Sequence, residues 1–311
     1  MKSDKIYYTI LIYISAALFL TGCGNESVRT SKILLQPNEV RGEVVSLDLN
    51  NSVVKVKALA LGPGLDQKLS LQNDSLVDFV VQAGDMSLLQ NKSLFKGKLQ
   101  ETFSTQSGIS FLLHEVWPAK RSDLIRLNNV NRLLRRDTLS MGEDMIRTVG
   151  DQVPPFALFD QDGEIITTDY FDGSITVLNF IFTRCSVADM CPASTMKMRE
   201  LQKLATLTKI PNVKFLSVTI DPIFDSPGVL KSYVRGYGLK EQNFRIGTAE
   251  KSVIDDLTRQ FGILRKETSN QPLDHTMRTM IVNAKRQIVY QIPGKSWEVK
   301  DFLSRLQTGE G

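Results

Sequence analysis

The stretch Ile175-Thr-Val-Leu-Asn-Phe-Ile-Phe-Thr-Arg-Cys185-Ser-Val-Ala-Asp-Met-Cys191-Pro192 decides the fold of the C-terminal half. Ile175 to Phe182 is short and almost continuously apolar, the pattern of a strand covered on both faces. It breaks at Thr183-Arg184-Cys185, and Cys191-Pro192 then opens a helix carrying Met196, Met198, Leu201 and Leu204. Proline suits the first helical turn, where its missing N–H costs nothing. Further on, Val213 to Ile220 is a second apolar strand that ends at Asp221-Pro222. Ser226-Pro227 starts a helix through Leu230 and Tyr233, and another spans Ala249 to Phe261. Met277 to Asn283 and Gln287 to Ile292 read as a hairpin across Ala284-Lys285-Arg286, and a last helix covers Trp297 to Leu306. Upstream, Pro154-Pro155-Phe156-Ala157-Leu158 and Asp160-Gln161-Asp162-Gly163 form a lead-in segment and a turn. The order β-α-β-α-β-β-α is that of an α/β, thioredoxin-like domain over residues 150–311, with both cysteines on the loop after its first core strand.

That loop has its own chemistry. A thiolate at a helix N-terminus is stabilised by the helix dipole and free N–H groups, so a lowered pKa is expected for Cys191. Cys185 lies six residues earlier on the same loop, and the two sulfurs can converge. Thiolates are soft donors, and copper(I) is the soft ion they suit outside the cytoplasm. Two thiolates and one neutral imidazole make a three-coordinate site. The chain has two histidines. His114 sits mid-strand in another region, which leaves His275, in Leu273-Asp274-His275-Thr276 directly before a predicted core strand. In a thioredoxin fold that loop faces the cysteine loop. The expectation is therefore one copper(I) per chain on Cys185, Cys191 and His275. Met190 offers another soft atom, with packing as its plainer role. A disulfide between Cys185 and Cys191 is an alternative that five intervening residues and an oxidising compartment permit.

Composition bounds the rest. The chain has 311 residues, 42% hydrophobic and 23% charged, which suits about two domains with a sizeable core. A mean hydropathy of −0.12 excludes a polytopic membrane protein. Thirty-eight basic residues against 34 acidic ones, net +4, place no demand for nucleic acid. Three cysteines exclude a disulfide-stapled scaffold. At the N-terminus Lys2 and Lys5 precede an apolar run, Ile6 to Leu20, that is too short for a bilayer core of about 30 Å. It ends in Leu20-Thr21-Gly22-Cys23, which resembles a bacterial lipobox. Residues 1–22 then form a signal peptide, and Cys23 carries lipid. An ordinary signal peptide or a short anchor is the alternative. The lipobox implies anchoring on the extracytoplasmic, periplasmic side of a bacterial membrane. Gly24 stands where an inner-membrane retention signal would have Asp, which favours the outer membrane. Residues 23–37 read as a tether.

Residues 38–118 read as a small all-β domain, barrel-like or a meander. Val40 to Leu47 and Ser52 to Lys57 flank the turn Asn50-Asn51, and Leu94 to Thr102 and Ile109 to Trp117 flank Ser107-Gly108. Its opening resembles the periplasmic copper-binding barrels that share GxVxxxDxxxxxVxVxH. Ala58 stands at the histidine position, however, and Leu65-Asp66-Gln67-Lys68-Leu69 replaces the methionine-rich segment. A spacer or docking role is the reading for this unit. Residues 119–149 form a helical linker in which Leu124, Leu127, Val130, Leu133 and Leu134 recur at helical spacing beside Lys120, Arg121, Arg126, Arg132, Arg135 and Arg136. A solvated connecting helix is the plainer reading, and contact with anionic lipid head groups the other.

Residues 150–306 resemble the Sco/SenC family of copper-binding assembly factors for cytochrome c oxidase. The resemblance rests on VGDQVPPFALFDQDGE (149–164), VLNFIFTRC (177–185) with Cys191-Pro192, VKFLSVTIDPIFDSPGVLKSY (213–233) and DHTMRTMIVN (274–283). It implies copper ligation by Cys185, Cys191 and His275, and delivery to an apo cytochrome c oxidase subunit or another copper-site protein. It also implies a supporting or partner-docking role for Asp221 and Asp225. Asp225 before Ser226-Pro227 equally reads as a helix cap. One departure is the cysteine spacing: the family usually has three residues between them, and here there are five. Thiol–disulfide exchange on a partner's copper-site cysteines is the competing activity. Against it, there is no C-x-x-C and no proline directly after Thr276.

Overall fold

The computed structural model describes residues 35–65, 74–104, 108–266 and 274–308. The expected signal peptide, the lipobox and most of the tether lie outside these residues, as do Asp66 to Leu69, Ser107 and Leu273. From Leu35 onward the chain forms one compact unit.

The N-terminal strands are β1 (Glu39–Asp48), β2 (Val53–Leu61), β3 (Leu76–Val81), β4 (Leu94–Ser104) and β5 (Gly108–Pro118). They close into a barrel in the order β1-β2-β3-β5-β4. β3 runs parallel to β5, so the unit is not a meander, in which every neighbour pair is antiparallel. β3 adds a strand to those expected from the sequence. Its alternation is plain once placed: Phe79 and Val81 are buried while Leu76 and Val80 are exposed. Val40, Val44, Val54, Val56, Phe79, Leu99 and Leu113 fill the interior. A Cβ on Gly42 would lie 2.4 Å from Val56 Cγ1 and 3.1 Å from the Phe95 ring, so only glycine fits where β1 crosses the core. Closure removes the sheet edges that would otherwise template aggregation.

Helix α1 (Ala83–Met86) follows β3, and α2 (Arg121–Ser140) follows the barrel. The C-terminal domain begins with a hairpin, β6 (Ala157–Phe159) and β7 (Ile165–Thr167), around the expected Asp160–Gly163 turn. Next come β8 (Ile175–Ile181), α3 (Cys191–Leu207), β9 (Val213–Thr219), α4 (Pro227–Tyr237), β10 (Phe244–Gly247) and α5 (Lys251–Gln260). The chain continues through β11 (Arg265–Lys266), β12 (Asp274–His275), β13 (Arg278–Val282), β14 (Ile288–Pro293) and α6 (Val299–Thr308). The main sheet has the order β10-β9-β8-β13-β14. β8, β9 and β10 are parallel, and β13 is antiparallel to β8 and β14.

β8 sits at the centre, and its alternating side chains face two helix layers. Asn179 donates to Ser194 Oγ on α3 at 3.0 Å and accepts from Ser217 Oγ at 2.6 Å. Phe180, pointing the other way, meets Phe261 at the end of α5 with ring centroids 5.3 Å apart. Helices α3 and α5 therefore cover opposite faces, as the thioredoxin-like reading requires.

The barrel packs directly against this domain through backbone. A Cβ on Gly228, in the first turn of α4, would lie 2.2 Å from Asp85 Oδ1 and 2.8 Å from Asp85 N. One on Gly84 would lie 2.4 Å from the Gly228 carbonyl oxygen. Gly228→Ala is expected to destabilise the chain by about 1–3 kcal/mol through overpacking. Urea denaturation reads this as a lowered midpoint, and a midpoint equal to wild type would show the contact to be slack.

Candidate metal centre

β8 delivers the chain to Cys185, and α3 begins on Cys191 with Pro192 in its first turn. β12 supplies His275, opposite Arg265 of β11 and just ahead of β13. The sequence separates these residues by up to 90 positions, and the sheet brings them together. The two Sγ atoms and an imidazole nitrogen lie within 4.8 Å of one another, and Cys191 Sγ is 3.4 Å from His275 Nε2. Metal–ligand bonds of about 2.0–2.3 Å put the donors of a trigonal site roughly 3.5–4 Å apart. The group therefore needs only a small inward shift to close on one ion. His275 Nδ1 donates to its neighbour's carbonyl, Thr276 O, at 2.9 Å. That bond fixes the tautomer and leaves the Nε2 lone pair facing Cys191. The Phe182 ring packs edge-on at 5.1 Å from the His275 ring. All three ligands are buried, Cys191 completely. Among the described residues this is the one group of three cysteine, histidine or acidic side chains placed to share a metal.

The expected low pKa of Cys191 is overturned. The thiol does stand at the helix N-terminus, but burial pushes it well above its ordinary range. A hydrogen bond with the Phe182 backbone works the other way, and Cys185 and Asp225 add to the rise. Desolvation outweighs the dipole, so Cys191 holds its proton at neutral pH until a metal displaces it. Both cysteines are free thiols. Met190 occupies the N-cap position of α3 and packs, half-buried, against the core. In the loop between the cysteines Ser186 to Asp189 are exposed, and Asp189 is ion-paired to Lys295.

Asp225 is fully buried beneath this loop. It accepts from Thr183 N at 3.2 Å, from Thr183 Oγ1, and from Thr219 Oγ1 at 2.5 Å. The carboxylate thus clamps the start of the cysteine loop to the end of β9. The helix-cap reading of Asp225 does not hold, because Ser226 takes the N-cap position of α4. Burial raises the Asp225 carboxyl to about 6, while the hydrogen bonds from Thr183 and Thr219 pull it down. Asp221 holds Arg184 by Nη2 at 2.6 Å and Nε at 3.0 Å, and that guanidinium lies 4.4 Å from the Phe224 ring centroid. Neither carboxylate belongs to the donor group. Thr183, Arg184 and Thr219 complete the support and were not singled out in the sequence. Their one signal is the polar Thr183-Arg184 step at the end of an apolar strand. His114 lies on β5, half-buried, beside an open cavity of about 590 Å³ on the barrel that shares no residue with the metal group.

Residues 146–308 match the SCO1/SenC family model. A "SCO2-like protein" of Rickettsia felis is 30% identical over 169 residues, covering 52% of this chain and 78% of that protein. The "SCO1 protein homolog" of Bacillus subtilis is 26% identical over 171 residues, covering 54% of this chain and 87% of its own length. Among solved structures, a SCO1/SenC family lipoprotein from Bacillus anthracis aligns with a TM-score of 0.48 and 24% identity, over 52% of this chain and 98% of that one. With half its length matched, including all of the domain that gathers Cys185, Cys191 and His275, the chain belongs to the SCO1/SenC family.

Proposed function

We propose that this protein carries one copper(I) ion on Cys185, Cys191 and His275 and passes it, by ligand exchange, to an apo cytochrome c oxidase subunit or another copper-site protein. Copper is the cargo here. The observation that carries this reading is the gathering of two sulfurs and one imidazole nitrogen within 4.8 Å of one another in a buried pocket. Soft sulfur donors in low coordination suit copper(I) over harder ions. The His275 tautomer presents a lone pair to the same point. The exposed Ser186 to Asp189 stretch gives a recipient's ligands access from the loop side.

Thiol–disulfide exchange is the second reading. It requires a thiolate nucleophile, whereas Cys191 holds its proton and faces the His275 imidazole at 3.4 Å. The geometry therefore favours carriage of a metal over turnover of disulfides.

Placement follows from the lipobox. Cys23 carries the lipid, and the chain works on the periplasmic side, at the outer membrane. Cys23→Ala is expected to abolish incorporation of labelled fatty acid into the protein, and incorporation equal to wild type would show that Cys23 carries no lipid.

The test of function is transfer. Copper(I)-loaded protein is mixed anaerobically with the apo copper-site domain of an oxidase subunit, the two are separated by size, and metal is measured in each. Copper in the recipient is the expected result. A recipient that gains reduced cysteines but no metal would instead establish the exchange reading.

A further inference from the structure

The linker helix α2 has a face that the copper chemistry leaves unused. One side of it is buried: Leu127, Leu134 and Thr138 point inward, Asn131 exchanges hydrogen bonds with the Ala157 backbone, and Arg135 pairs with Asp256 at 2.7 Å. The contacts with α5 place α2 on the sheet face away from α3 and its Cys191. At 3.6 residues per turn, Arg121, Ile125, Arg132, Arg136 and Leu139 share an outward arc of roughly 60°. Leu133 and Arg126 flank it. Ile125 is 50% exposed, Leu133 44% and Leu139 69%. The helix's two acidic residues, Asp123 and Asp137, fall outside the arc, and Asp137 is paired with Arg147. Arg121 and Arg136 have no hydrogen-bond or ion-pair partner among the described residues.

Arg126 is paired with Asp169 at 3.9 Å, but a solvated connecting helix has no need for three bulky apolar side chains among Arg121, Arg132 and Arg136, none of which has an acidic partner among the described residues. A helix lying in the interface of an anionic bilayer has that composition: arginines reach phosphates while the apolar side chains enter the boundary region. We infer that the outer face of α2 docks on an anionic lipid surface, holding the domain flat on the membrane with α3 turned away from it. The inference stands apart from both the copper site and the lipid anchor, and its test omits both.

Unlipidated, metal-free chain of residues 24–311, which contains the whole compact unit, is sedimented with vesicles of phosphatidylcholine alone or with 30% phosphatidylglycerol. Binding to the phosphatidylglycerol vesicles only, weakening as salt rises, is expected. Arg132→Gln with Arg136→Gln should weaken it roughly 30-fold. Ile125→Ser with Leu139→Ser should weaken it at least tenfold. Both pairs are exposed, so circular dichroism and melting temperature should match wild type. Equal binding to the two vesicle types, or arginine variants that bind like wild type, overturns the inference. A chain that stays in the supernatant with both overturns it too, and leaves an acidic protein as the occupant of this face.

Discussion

Cys191→Ala is expected to lower copper(I) affinity by roughly 10²–10⁴-fold. A complete structural metal site of sulfur and nitrogen donors is worth about 10–16 kcal/mol, so one of three ligands accounts for about 3–5 kcal/mol. Competition titration with a copper(I) chelator measures the loss. His275→Ala should fall in the same range, because Nε2 sits 3.4 Å from Cys191 Sγ and no other imidazole is among the gathered donors. Binding also has a pH signature. Because burial keeps Cys191 protonated, the ion must expel that proton, and apparent affinity should rise about tenfold per pH unit for the thiol proton released. Cys191→Ala should lower that slope by about one proton per ion bound. An affinity independent of pH would mean that Cys191 does not coordinate.

The second large effect concerns stability rather than metal. Asp85 is buried at the contact between the barrel and the C-terminal domain, where its Oδ1 accepts from Val116 N at 3.2 Å. Burial raises its carboxyl from 3.8 to about 7, hydrogen bonds from the Val116 and Glu115 backbone oppose the rise, and the Glu115 charge adds to it. The folded chain therefore binds this proton more tightly than the unfolded one. The resulting stabilisation is fully present below about pH 4 and is lost as pH rises to 7, amounting to at most about 4 kcal/mol by linkage. Asp85→Asn keeps the acceptor and removes the proton, so it should not follow that trend. Urea denaturation of both proteins from pH 4 to 8 should show wild type losing stability relative to Asp85→Asn. Taking the difference between the two proteins cancels the like-signed contribution of Asp225. Parallel profiles would show that Asp85 does not carry the pH dependence.

The fold was legible where one segment carries its own signal. Ile175 to Phe182 can only be an interior strand, and Cys191-Pro192 can only start something after it. Strands β3 and β10 were not legible. β10 is four residues long with an arginine inside it, and Leu76 and Val80 of β3 face outward although they are apolar. The three ligands could be picked out because the chain has so few cysteines and histidines. Their support could not: Asp225 and Thr183 lie 42 positions apart, and nothing local marks either as the other's partner. The pKa of Cys191 illustrates the same limit. Its place on the helix is written in the sequence, whereas its complete burial is a product of the assembled fold, which brings His275 against it from 84 positions away. The arginines of α2 were visible from the start, but which apolar residues stayed outside with them depended on how the helix docks.

The most direct test of the central claim is the copper K-edge absorption spectrum of the protein loaded with one equivalent of copper(I). The account predicts a three-coordinate ion with two sulfur scatterers and one imidazole nitrogen, and loss of the nitrogen shell in His275→Ala. A two-coordinate ion on sulfur alone in wild type, or a spectrum unchanged by His275→Ala, would contradict it.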